Sequence, residues 1–525
     1  IISSTLADGA HSFTVKVTDA AGNTSGASSP TSLVIDSRVP GSPTTPDLAI
    51  ASDTGTSNTD NITNNNTPVF QGVVDATSSA IAGDFVEIYS GNILVGVGVV
   101  VDNNGVLEWS VTVGSIASGY TANPLGAVTL SDGSQAISAM FRTSGGTASA
   151  SSQALTVVVD TTAPAAPSGA PDLAASSDTG TSSTDDLTND TTPTFTGTGG
   201  VPGDTVNLYA NGTLVGTATV GPDGSYSVSA SPALTDGTYA FTTKYEDPAG
   251  NLSSASSPIN VTIDSTPPAV PSTPDLIATD DTGASNFDNL TSVNQPTFEG
   301  FGTTGDTIEI YVDGVLAGTT IVDANGNWSI TTNSIADGVH QITSVAIDPA
   351  GNASAQSTPL VLTIDSSAPN SPIFTTTSGP TSNAQPPISG TGEPGSTITL
   401  YDGTTPIGTA IVNANGSWSI TPSSPLAEGT HTFTTIAIDG AGNTSLPSSP
   451  IAVTIDTSNP LPPVIASVSQ DTGNPSDKIT SDNTLTITGN AEPGTTITVY
   501  DNGSPVGTVV VGADGTYSVT TSALT

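Results

Sequence analysis

A short segment made of β-branched residues, one aspartate, one hydroxyl residue and a nearby proline recurs five times along this chain. Its copies are Val34–Ser37, Val158–Thr161, Thr262–Ser265, Thr363–Ser366 and Thr454–Thr457. Valine and isoleucine favour a half-buried strand, and proline cannot donate a ladder hydrogen bond, so strand pairing stops there. The aspartates of successive copies lie 124, 104, 101 and 91 residues apart. A period near 100 residues predicts tandem domains rather than a solenoid of small repeats.

These markers divide the chain into four complete units and two partial ones. The predicted units are 1–36, 37–160, 161–264, 265–365, 366–456 and 457–525. The second of them carries an insertion that includes Ser115 to Leu130, and the fifth is shorter than its neighbours. The first resembles the C-terminal part of a unit and the last resembles the N-terminal part. We therefore expect the chain to be a fragment of a longer repetitive protein.

Within each unit, apolar and polar residues alternate over short segments that are separated by turn-forming residues. In the third unit, Asp204 to Ala210 and Thr213 to Val220 are two such segments, and the turn Pro222-Asp223-Gly224 follows them. Alternation with period two and turn signals at this spacing predict about seven antiparallel strands per unit, packed as a β-sandwich. No convincing amphipathic helix is present. The predicted fold is therefore all-β, with the sandwiches in an extended array.

The chain is strongly acidic, with a formal net charge of −42 and only five lysine and arginine residues. Nucleic acids and anionic lipids both require positive charge on their partner, so we expect neither as a partner. The most apolar run, Ile93 to Val101, is nine residues long and contains two glycines, which indicates a strand. We therefore expect no membrane insertion by this fragment. Cysteine is absent, so the units must be held by their cores or by metal ions.

The three histidines could suggest an enzyme. His11, His340 and His431 occupy one repeat position, where other units place Tyr239 and Gln135. They lie a whole domain apart and cannot form one site, so a polar residue at the start of a strand is the better interpretation. No glycine-rich phosphate loop, zinc-ligand spacing or nucleophile elbow occurs. The sequence therefore predicts no enzyme.

Three sets of acidic residues recur near the predicted strand ends. The first is the loop Asp-x-x-Gly-Asn, the second an Asp-Thr-Gly loop with another aspartate six or seven residues later, and the third the strand-end aspartate. Their members are Asp19, Asn23, Asp247, Asn251, Asp348, Asn352, Asp439 and Asn443; Asp53, Asp60, Asp178, Asp185, Asp281, Asp288, Asp471 and Asp477; and Asp36, Asp160, Asp264, Asp365 and Asp456. Such residues also make ordinary turns. However, Ca²⁺ binds carboxylate, amide and carbonyl oxygens on loops, and the recurrence predicts these residues as Ca²⁺ ligands.

The expected topology brings two of these sets together. In a seven-strand antiparallel sandwich, the Asp-x-x-Gly-Asn loop precedes the last strand and lies at the end that faces the preceding unit. Asp160 should then approach Asp247 and Asn251, and the next two junctions should repeat this contact. The loops at Asp178 and Asp281 should lie at the opposite end of their units. Nothing else obvious locks the linkers.

The junction after the first strand-end aspartate, Asp36, is expected to differ. Unit 37–160 carries Arg142 and Gly145-Gly146 in the region where the acidic loop should be. We therefore expect this junction to lack a shared ion and to stay comparatively free.

Three motifs give the chain a family resemblance. They are Asp-x-Ala-Gly-Asn, Ile-Asp-Ser/Thr with a following proline, and the Pro-Asp-Leu…Asp-Thr-Gly segment at Pro274 to Gly283. Over its whole length the chain resembles the bacterial Ig-like repeats of giant surface adhesins and biofilm-associated proteins that type I systems secrete. The resemblance implies an extracellular stalk on the bacterial cell surface, or a secreted one, with Ca²⁺ between neighbouring repeats. It also implies that another part of the full protein binds the host-cell, surface or matrix ligand.

A second function remains open at this point. The same architecture could be a carbohydrate-binding or accessory repeat array of an extracellular enzyme. That alternative would require aromatic side chains exposed together on one face of a unit.

Overall fold

The computed structural model describes residues 5–468, 472 and 477–525, and every regular element within them is a β-strand. The all-β prediction is confirmed, and the units form tandem sandwiches in an extended array. The predicted ligand Asp471 lies outside the described residues.

The first partial unit contributes one antiparallel pair, β1 (Gly9–Phe13) with β2 (Thr31–Ile35). The strands of unit 37–160 are β3 (Asp47–Leu48), β4 (Ile62–Thr63), β5 (Val69–Val73), β6 (Phe85–Ser90), β7 (Ile93–Asn103), β8 (Val106–Thr112), β9 (Gly133–Arg142) and β10 (Leu155–Val159). They form one continuous sheet in the order β3-β5-β8-β7-β6-β9-β10-β4. The sheet is continuous because β7 is long enough to pair with β6 through its first part and with β8 through its last.

The next two units divide the same eight strands between two sheets. Unit 161–264 contains β11 (Asp172–Leu173), β12 (Leu187–Thr188), β13 (Thr194–Thr198), β14 (Thr205–Ala210), β15 (Thr213–Thr219), β16 (Ser225–Ser229), β17 (Gly237–Glu246) and β18 (Ile259–Ile263). Unit 265–365 contains β19 (Asp275–Leu276), β20 (Leu290–Thr291), β21 (Thr297–Phe301), β22 (Thr307–Val312), β23 (Val315–Ile321), β24 (Asn327–Thr331), β25 (Gly338–Ile347) and β26 (Leu360–Ile364). Unit 161–264 has a three-stranded sheet, β11-β13-β16, and a five-stranded sheet, β12-β18-β17-β14-β15. Unit 265–365 has the equivalent sheets β19-β21-β24 and β20-β26-β25-β22-β23.

The last two units follow the same plan. Unit 366–456 contains β27 (Ile373–Phe374), β28 (Gly379–Thr381), β29 (Ile388–Thr391), β30 (Thr397–Asp402), β31 (Thr405–Ile411), β32 (Ser417–Ile420), β33 (Gly429–Ile438) and β34 (Ile451–Ile455). Segment 457–525 contains β35 (Val464–Val468), β36 (Thr486–Asn490), β37 (Thr496–Asp501), β38 (Ser504–Val510) and β39 (Thr516–Thr520). Its strands pair as β35-β36-β39 and β37-β38.

The opening of each complete unit differs from the simple antiparallel prediction. The expected first strand is two short pieces, and β12 pairs in parallel with the last strand, β18, through Leu187–Thr262 and Thr188–Ile263. Because β18 leads out of its unit, this pairing holds the loop before β12 at the C-terminal end. That loop contains Asp178-Thr179-Gly180.

The aromatic residue that follows each hairpin turn lies in the core, as expected for a sheet-packing residue. Trp328 is 3% exposed and pairs across the sheet with Gly300. A Cβ atom at Gly300 would lie 2.4 Å from the indole ring, so only glycine lets the ring lie flat on the neighbouring strand. Trp109 and Trp418 are buried in the same way. These rings are therefore core residues rather than exposed platforms.

The insertion in unit 37–160 forms a second, smaller core. Tyr120 and Leu125 pack against Leu94, Val97 and Phe85 on the sheet. The cluster covers a sheet surface that would otherwise expose apolar side chains to water, and its burial stabilises this unit beyond its main core.

Candidate cation sites at the unit junctions

The strand-end aspartate of one unit contacts the Asp-x-x-Gly-Asn loop of the next. At the junction after Asp160, Nδ2 of Asn251 donates to the backbone carbonyl of Asp160 at 2.8 Å. The same bond joins Asn352 to Asp264 at 2.7 Å and Asn443 to Asp365 at 2.6 Å. The predicted approach is confirmed at all three junctions.

The loop itself is a turn closed by its own aspartate. Asp247 accepts the backbone N–H of Asn251 at 2.9 Å and its side-chain Nδ2 at 2.8 Å. Gly250, at φ +90°, adopts the left-handed conformation that the turn requires. Asp348, Asp439 and the exposed Asp19 make the same bonds to the asparagine four residues later. Turn formation therefore explains part of this motif without any ion.

The hydroxyl residue after each strand-end aspartate also has a structural partner. Ser265 donates to Oδ1 of Asp236 from its backbone N–H at 2.9 Å and from its Oγ at 2.6 Å. These bonds lower the pKa of Asp236. They fix the direction in which the chain leaves the last strand.

The Asp-Thr-Gly loop supplies a second contact across the junction. Thr179 Oγ1 donates to the backbone carbonyl of Ala350 in the next unit at 2.8 Å, and Thr54 does the same to Ala249 at 2.7 Å. A Cβ atom at Gly180 would lie only 2.1 Å from the carbonyl oxygen of Pro349. The predicted position of this loop at the C-terminal end of its unit is confirmed. The expectation that nothing else locks the linkers is wrong, because this loop seats directly on the following unit.

The three Asp-Thr-Gly loops that the structure describes also hold a buried carboxylate each. Asp53, Asp178 and Asp281 are each 6% exposed, and Oδ1 of each has no hydrogen-bond partner. Burial raises the pKa of Asp178, and repulsion from Asp185 raises it further. Asp53 and Asp281 have raised pKa values for the same reasons, with Asp60 and Asp288 as the repelling neighbours.

The second aspartate of this set has a structural role as well. Asp60, Asp185 and Asp288 each accept the backbone N–H of the residue two positions later, and Asp477 does the same. The loop thus combines a turn-forming carboxylate with a buried carboxylate that has one oxygen without a partner. A cation would relieve the repulsion between them.

A further buried aspartate near the junction was missed by sequence analysis. Asp204 and Asp306 precede β14 and β22, are 4% and 3% exposed, and leave Oδ2 without a partner. Burial raises the pKa of Asp204, and the nearby Asp247 of the junction loop raises it further. The pKa of Asp306 is raised likewise by burial and then by Asp348.

The signal for these residues was present in the sequence. The recurring Gly-Asp before the strand, at Gly203-Asp204 and Gly305-Asp306, could have identified them. Ser396 takes this position in unit 366–456, where its Oγ donates to the carbonyl of Glu393. The junction after Asp365 therefore has one carboxylate fewer than the junctions after Asp160 and Asp264.

These groups suit Ca²⁺ by chemistry, since they offer carboxylate, amide and main-chain oxygens, and five of the buried carboxylate oxygens have no hydrogen-bond partner. Across the described ranges, no group of three or more His, Cys, Asp or Glu side chains is arranged to hold a metal ion. A bound ion would thus also need amide or main-chain oxygens, or water. The role of the predicted residues as Ca²⁺ ligands stays a prediction.

The junction after Asp36 is closed differently. Arg38 pairs with Asp36 of the preceding unit, Nη2 to Oδ2 at 2.7 Å, and with Asp84 of its own unit, Nη2 to Oδ1 at 3.1 Å. Asp84 corresponds to Asp204 in the next unit. The expectation that this junction is comparatively free is therefore not supported by its contacts.

Arg142 is the last residue of β9, just before the junction loop in which the sequence suggested it stands, and its Nη1 donates to the carbonyl of Gly146 in that loop at 2.9 Å. Its guanidinium pairs with the fully buried Glu87 at 2.5 Å, and Tyr120 of the insertion also donates to that carboxylate. These hydrogen bonds hold the pKa of Glu87 below its usual range even though burial opposes this.

A family model described as "Bacterial Ig-like domain" matches 165–265, 268–366 and 375–457, and a second, "Bacterial Ig domain", matches 473–525. The chain belongs to the bacterial Ig-like domain family. The four matches follow one another in tandem, so this is a bacterial Ig-like array.

The array is also similar to individual proteins. It is 29% identical over 318 residues to Exoglucanase B of Cellulomonas fimi, which covers 58% of this chain and 26% of that protein, so the chain spans about a quarter of this curated relative. Among solved structures, a tetra-tandem repeat from the extending region of a large adhesion protein is 24% identical, with a TM-score of 0.25 over 76% of this chain and 98% of that one. A structure described as concerning the host cell surface retention of a 1.5-MDa bacterial ice-binding adhesin is 23% identical, with a TM-score of 0.21 over 55% and 100%.

The histidines of the array have structural roles. His340 bonds through Nδ1 to Asp313 at 2.7 Å and through Nε2 to the carbonyl of Ala336 at 2.9 Å. His431 repeats both contacts with Asp402 and the carbonyl of Ala427.

Other units fill this position with different donors to the same place. Gln135 donates to the carbonyl of Ser131, and Tyr239 donates to that of Thr235. The position thus anchors the start of a strand, as predicted. Within the described part of the chain, no helix has the length and apolar character that crossing a bilayer requires.

Proposed function

We propose that this bacterial Ig-like array is a stalk segment of a large bacterial surface adhesin, that Ca²⁺ at and between the units stiffens it, and that it supports cell adhesion or biofilm formation. In this role the array is extracellular, on the cell surface or secreted. Another part of the full protein binds the host-cell, surface or matrix ligand, and the array itself has no catalytic activity.

One observation carries the proposal. The same contacts between successive units recur at three junctions, through Asn251, Asn352 and Asn443. Contacts that repeat from unit to unit set the angle between neighbours, which is what a stalk requires and an assembly of independent binding modules does not. Proline-containing linkers by themselves keep a chain extended without fixing that angle.

The support for Ca²⁺ comes from charge and burial. A net charge of −42 makes the closing of each junction electrostatically unfavourable. At the first two of these junctions, Asp204 and Asp306 each bury an oxygen without a partner. A divalent cation that takes oxygen ligands would neutralise these groups. The buried Asp53, Asp178 and Asp281 offer a second set of sites beside the same junctions.

The test is a calcium titration of the whole chain, followed by calorimetry and small-angle scattering. Calcium should release or absorb heat on binding, raise the melting temperature and increase the maximum dimension. The matched control is magnesium at the same concentration, which demands a smaller octahedral cage and keeps its waters. Calcium that changes neither the melting temperature nor the dimension would refute the stiffening role.

A second candidate function is an accessory array of an extracellular enzyme, and the similarity to Exoglucanase B favours it. Phe301, which is 66% exposed, lies beside Asp275 and Glu299 in an open groove, and these residue types can contact a sugar. Retention of the chain on insoluble cellulose or on a glycan array, lost in Phe301→Ala, would favour this alternative over the stalk.

A further inference from the structure

At the 36/37 junction a positively charged side chain of the protein itself, Arg38, lies between two units. Arg38 is the second residue after the strand-end aspartate, and its backbone N–H donates to Oδ1 of Asp36 at 3.2 Å. Thr162, Thr266 and Ser367 donate from the same backbone position to Asp160, Asp264 and Asp365. The 36/37 junction therefore has the same local backbone hydrogen bond as the later junctions. It differs from them in having the arginine side chain of Arg38 at this position.

The short hydroxyl side chains at the later junctions bond back to the preceding unit. Thr266 Oγ1 donates to Asp236 at 2.6 Å, and Ser367 Oγ donates to Asp337 at 2.8 Å. The Arg38 side chain instead bonds both to Asp36 of the preceding unit and to Asp84 of its own unit, 37–160.

The guanidinium of Arg38 is fully used by this junction. Nε and Nη2 bond Asp36 at 2.9 and 2.7 Å, and Nη1 and Nη2 bond Asp84 at 3.3 and 3.1 Å. Nη1 also donates to the carbonyl of Ser79 at 2.8 Å. Five bonds match the five N–H groups that a guanidinium carries. Hydrogen bonds from Arg38 lower the pKa of Asp36.

Asp84, which pairs with Arg38, occupies a position that is an unpaired buried aspartate in the next two units. Asp204 and Asp306 stand where Asp84 stands, and each buries an unpartnered Oδ2. The same buried position thus requires positive charge at each of these junctions. At the 36/37 junction the chain supplies the charge, and at the next two the calcium of the proposed function would supply it.

We propose that the guanidinium of Arg38 replaces the shared cation at the 36/37 junction, so that this junction is stiff without calcium while those after Asp160 and Asp264 become equally stiff only with it. The second half of this statement rests on the proposed function. The array would then contain one constitutive junction followed by calcium-dependent ones.

Hydrogen exchange of the whole chain, followed by mass spectrometry, resolves each junction separately. In the wild type, exchange across 143–147 should be the same in calcium and in chelator, whereas exchange across 247–252 should slow in calcium. Arg38→Thr places the residue of the next junction here and should speed exchange across 143–147 in chelator by about tenfold, as the loss of charge-assisted hydrogen bonds implies. Calcium should then slow it again.

The reciprocal variant is Thr162→Arg, which should make 247–252 exchange slowly even in chelator. Unchanged exchange across the core strand Val106–Thr112 in Arg38→Thr shows that its unit still folds. If Arg38→Thr leaves 143–147 unchanged in chelator, the inference is overturned whatever calcium does elsewhere. If calcium affects neither 247–252 nor 348–353, the proposed function fails, and the chelator result for Arg38→Thr still decides the role of Arg38.

Discussion

Asn352 donates from Nδ2 to the backbone carbonyl of Asp264 at 2.7 Å and to the carboxylate of Asp348 at 2.9 Å. One side chain thus connects the last strand of one unit to the junction loop of the next. Because Asp348 holds the same side chain inside the turn, a shift of the preceding unit would either break the Asn352–Asp264 bond or distort the turn. The angle between the units is coupled in this way to the local geometry of one loop.

Asp306→Asn should remove the calcium response of its junction only. Asparagine keeps the shape of the side chain but removes the buried charge, so in chelator the variant should be at least as stable as the wild type. In calcium it should lose the stabilisation that binding gives, which is about 2.7 kcal/mol at a ligand concentration one hundred times the dissociation constant. Hydrogen exchange across 348–353 measures this, with 247–252 as the internal control. An undiminished calcium effect across 348–353 would remove Asp306 from the site.

Ser396→Asp should strengthen the calcium response of the 365/366 junction. The variant restores the carboxylate that units 161–264 and 265–365 carry at this position. In chelator it should destabilise the unit because it buries a charge, and in calcium the loss should be recovered. Calorimetry of wild type and variant, each with and without calcium, separates the two effects. A loss of stability that calcium leaves unchanged would show that this position does not face the ion.

Stability without calcium should rise as the pH falls from neutral toward the raised pKa values of the buried aspartates. Burial and then Asp185 raise the pKa of Asp178 above its usual 3.8, so in that interval the folded chain holds a proton that the unfolded chain has lost. The slope of stability with pH is then negative. With calcium bound, protons compete with the ion and the slope should be positive. Melting temperatures between about pH 7 and pH 4.5, with calcium and with chelator, show whether the slopes differ.

Gly180→Ala should loosen the 264/265 junction more than its local strain explains. Gly180 has φ +96° and lies against the Pro349 carbonyl, whereas Gly203 has φ +96° with nothing within 4 Å. Gly203→Ala is therefore a matched control that reports the cost of the left-handed backbone alone, about 1 kcal/mol. Scattering should show a wider range of interdomain angles for Gly180→Ala only. Equal behaviour of the two variants would mean that the docked loop does not fix the junction.

His340→Gln should leave the fold and calcium response intact and flatten the pH dependence of stability above neutrality. Both ring nitrogens face acceptors, Asp313 and the carbonyl of Ala336, so both bonds exist only in the protonated ring. Burial lowers the pKa of His340, but these two bonds outweigh it and raise the pKa above 6.5. The stabilisation is therefore complete below pH 6.5 and is lost as the pH rises through the folded pKa, by about 1 kcal/mol. Thermal melts at pH 6 and pH 9 measure it, and a variant with the same slope as the wild type would contradict this role.

Much of the fold followed from local patterns. Three patterns are predictable from the sequence: the recurrence of the strand-end aspartates, the alternation of apolar residues, and the turn residues. Each is recognised from residues only a few positions apart. The meeting of Asp160 with Asn251 was also predictable, because strand direction in a sandwich fixes the end at which each loop lies. The division of the opening strand, with β12 parallel to β18, was not predictable, because a strand of two residues is too short to show an alternating pattern.

The sequence by itself determined the repeats, the all-β fold and the loops that face each other at the junctions. Tertiary structure alone decided which charges are compensated. Arg38 and Asp84 are 46 positions apart and meet only because the sheet positions the three strands between them, β3, β4 and β5. Asp204 looks like an ordinary turn residue until folding buries it beside Asp247. Burial and the distance between charges set the free energy of an ionised group, and both are properties of the folded chain rather than of the residues themselves.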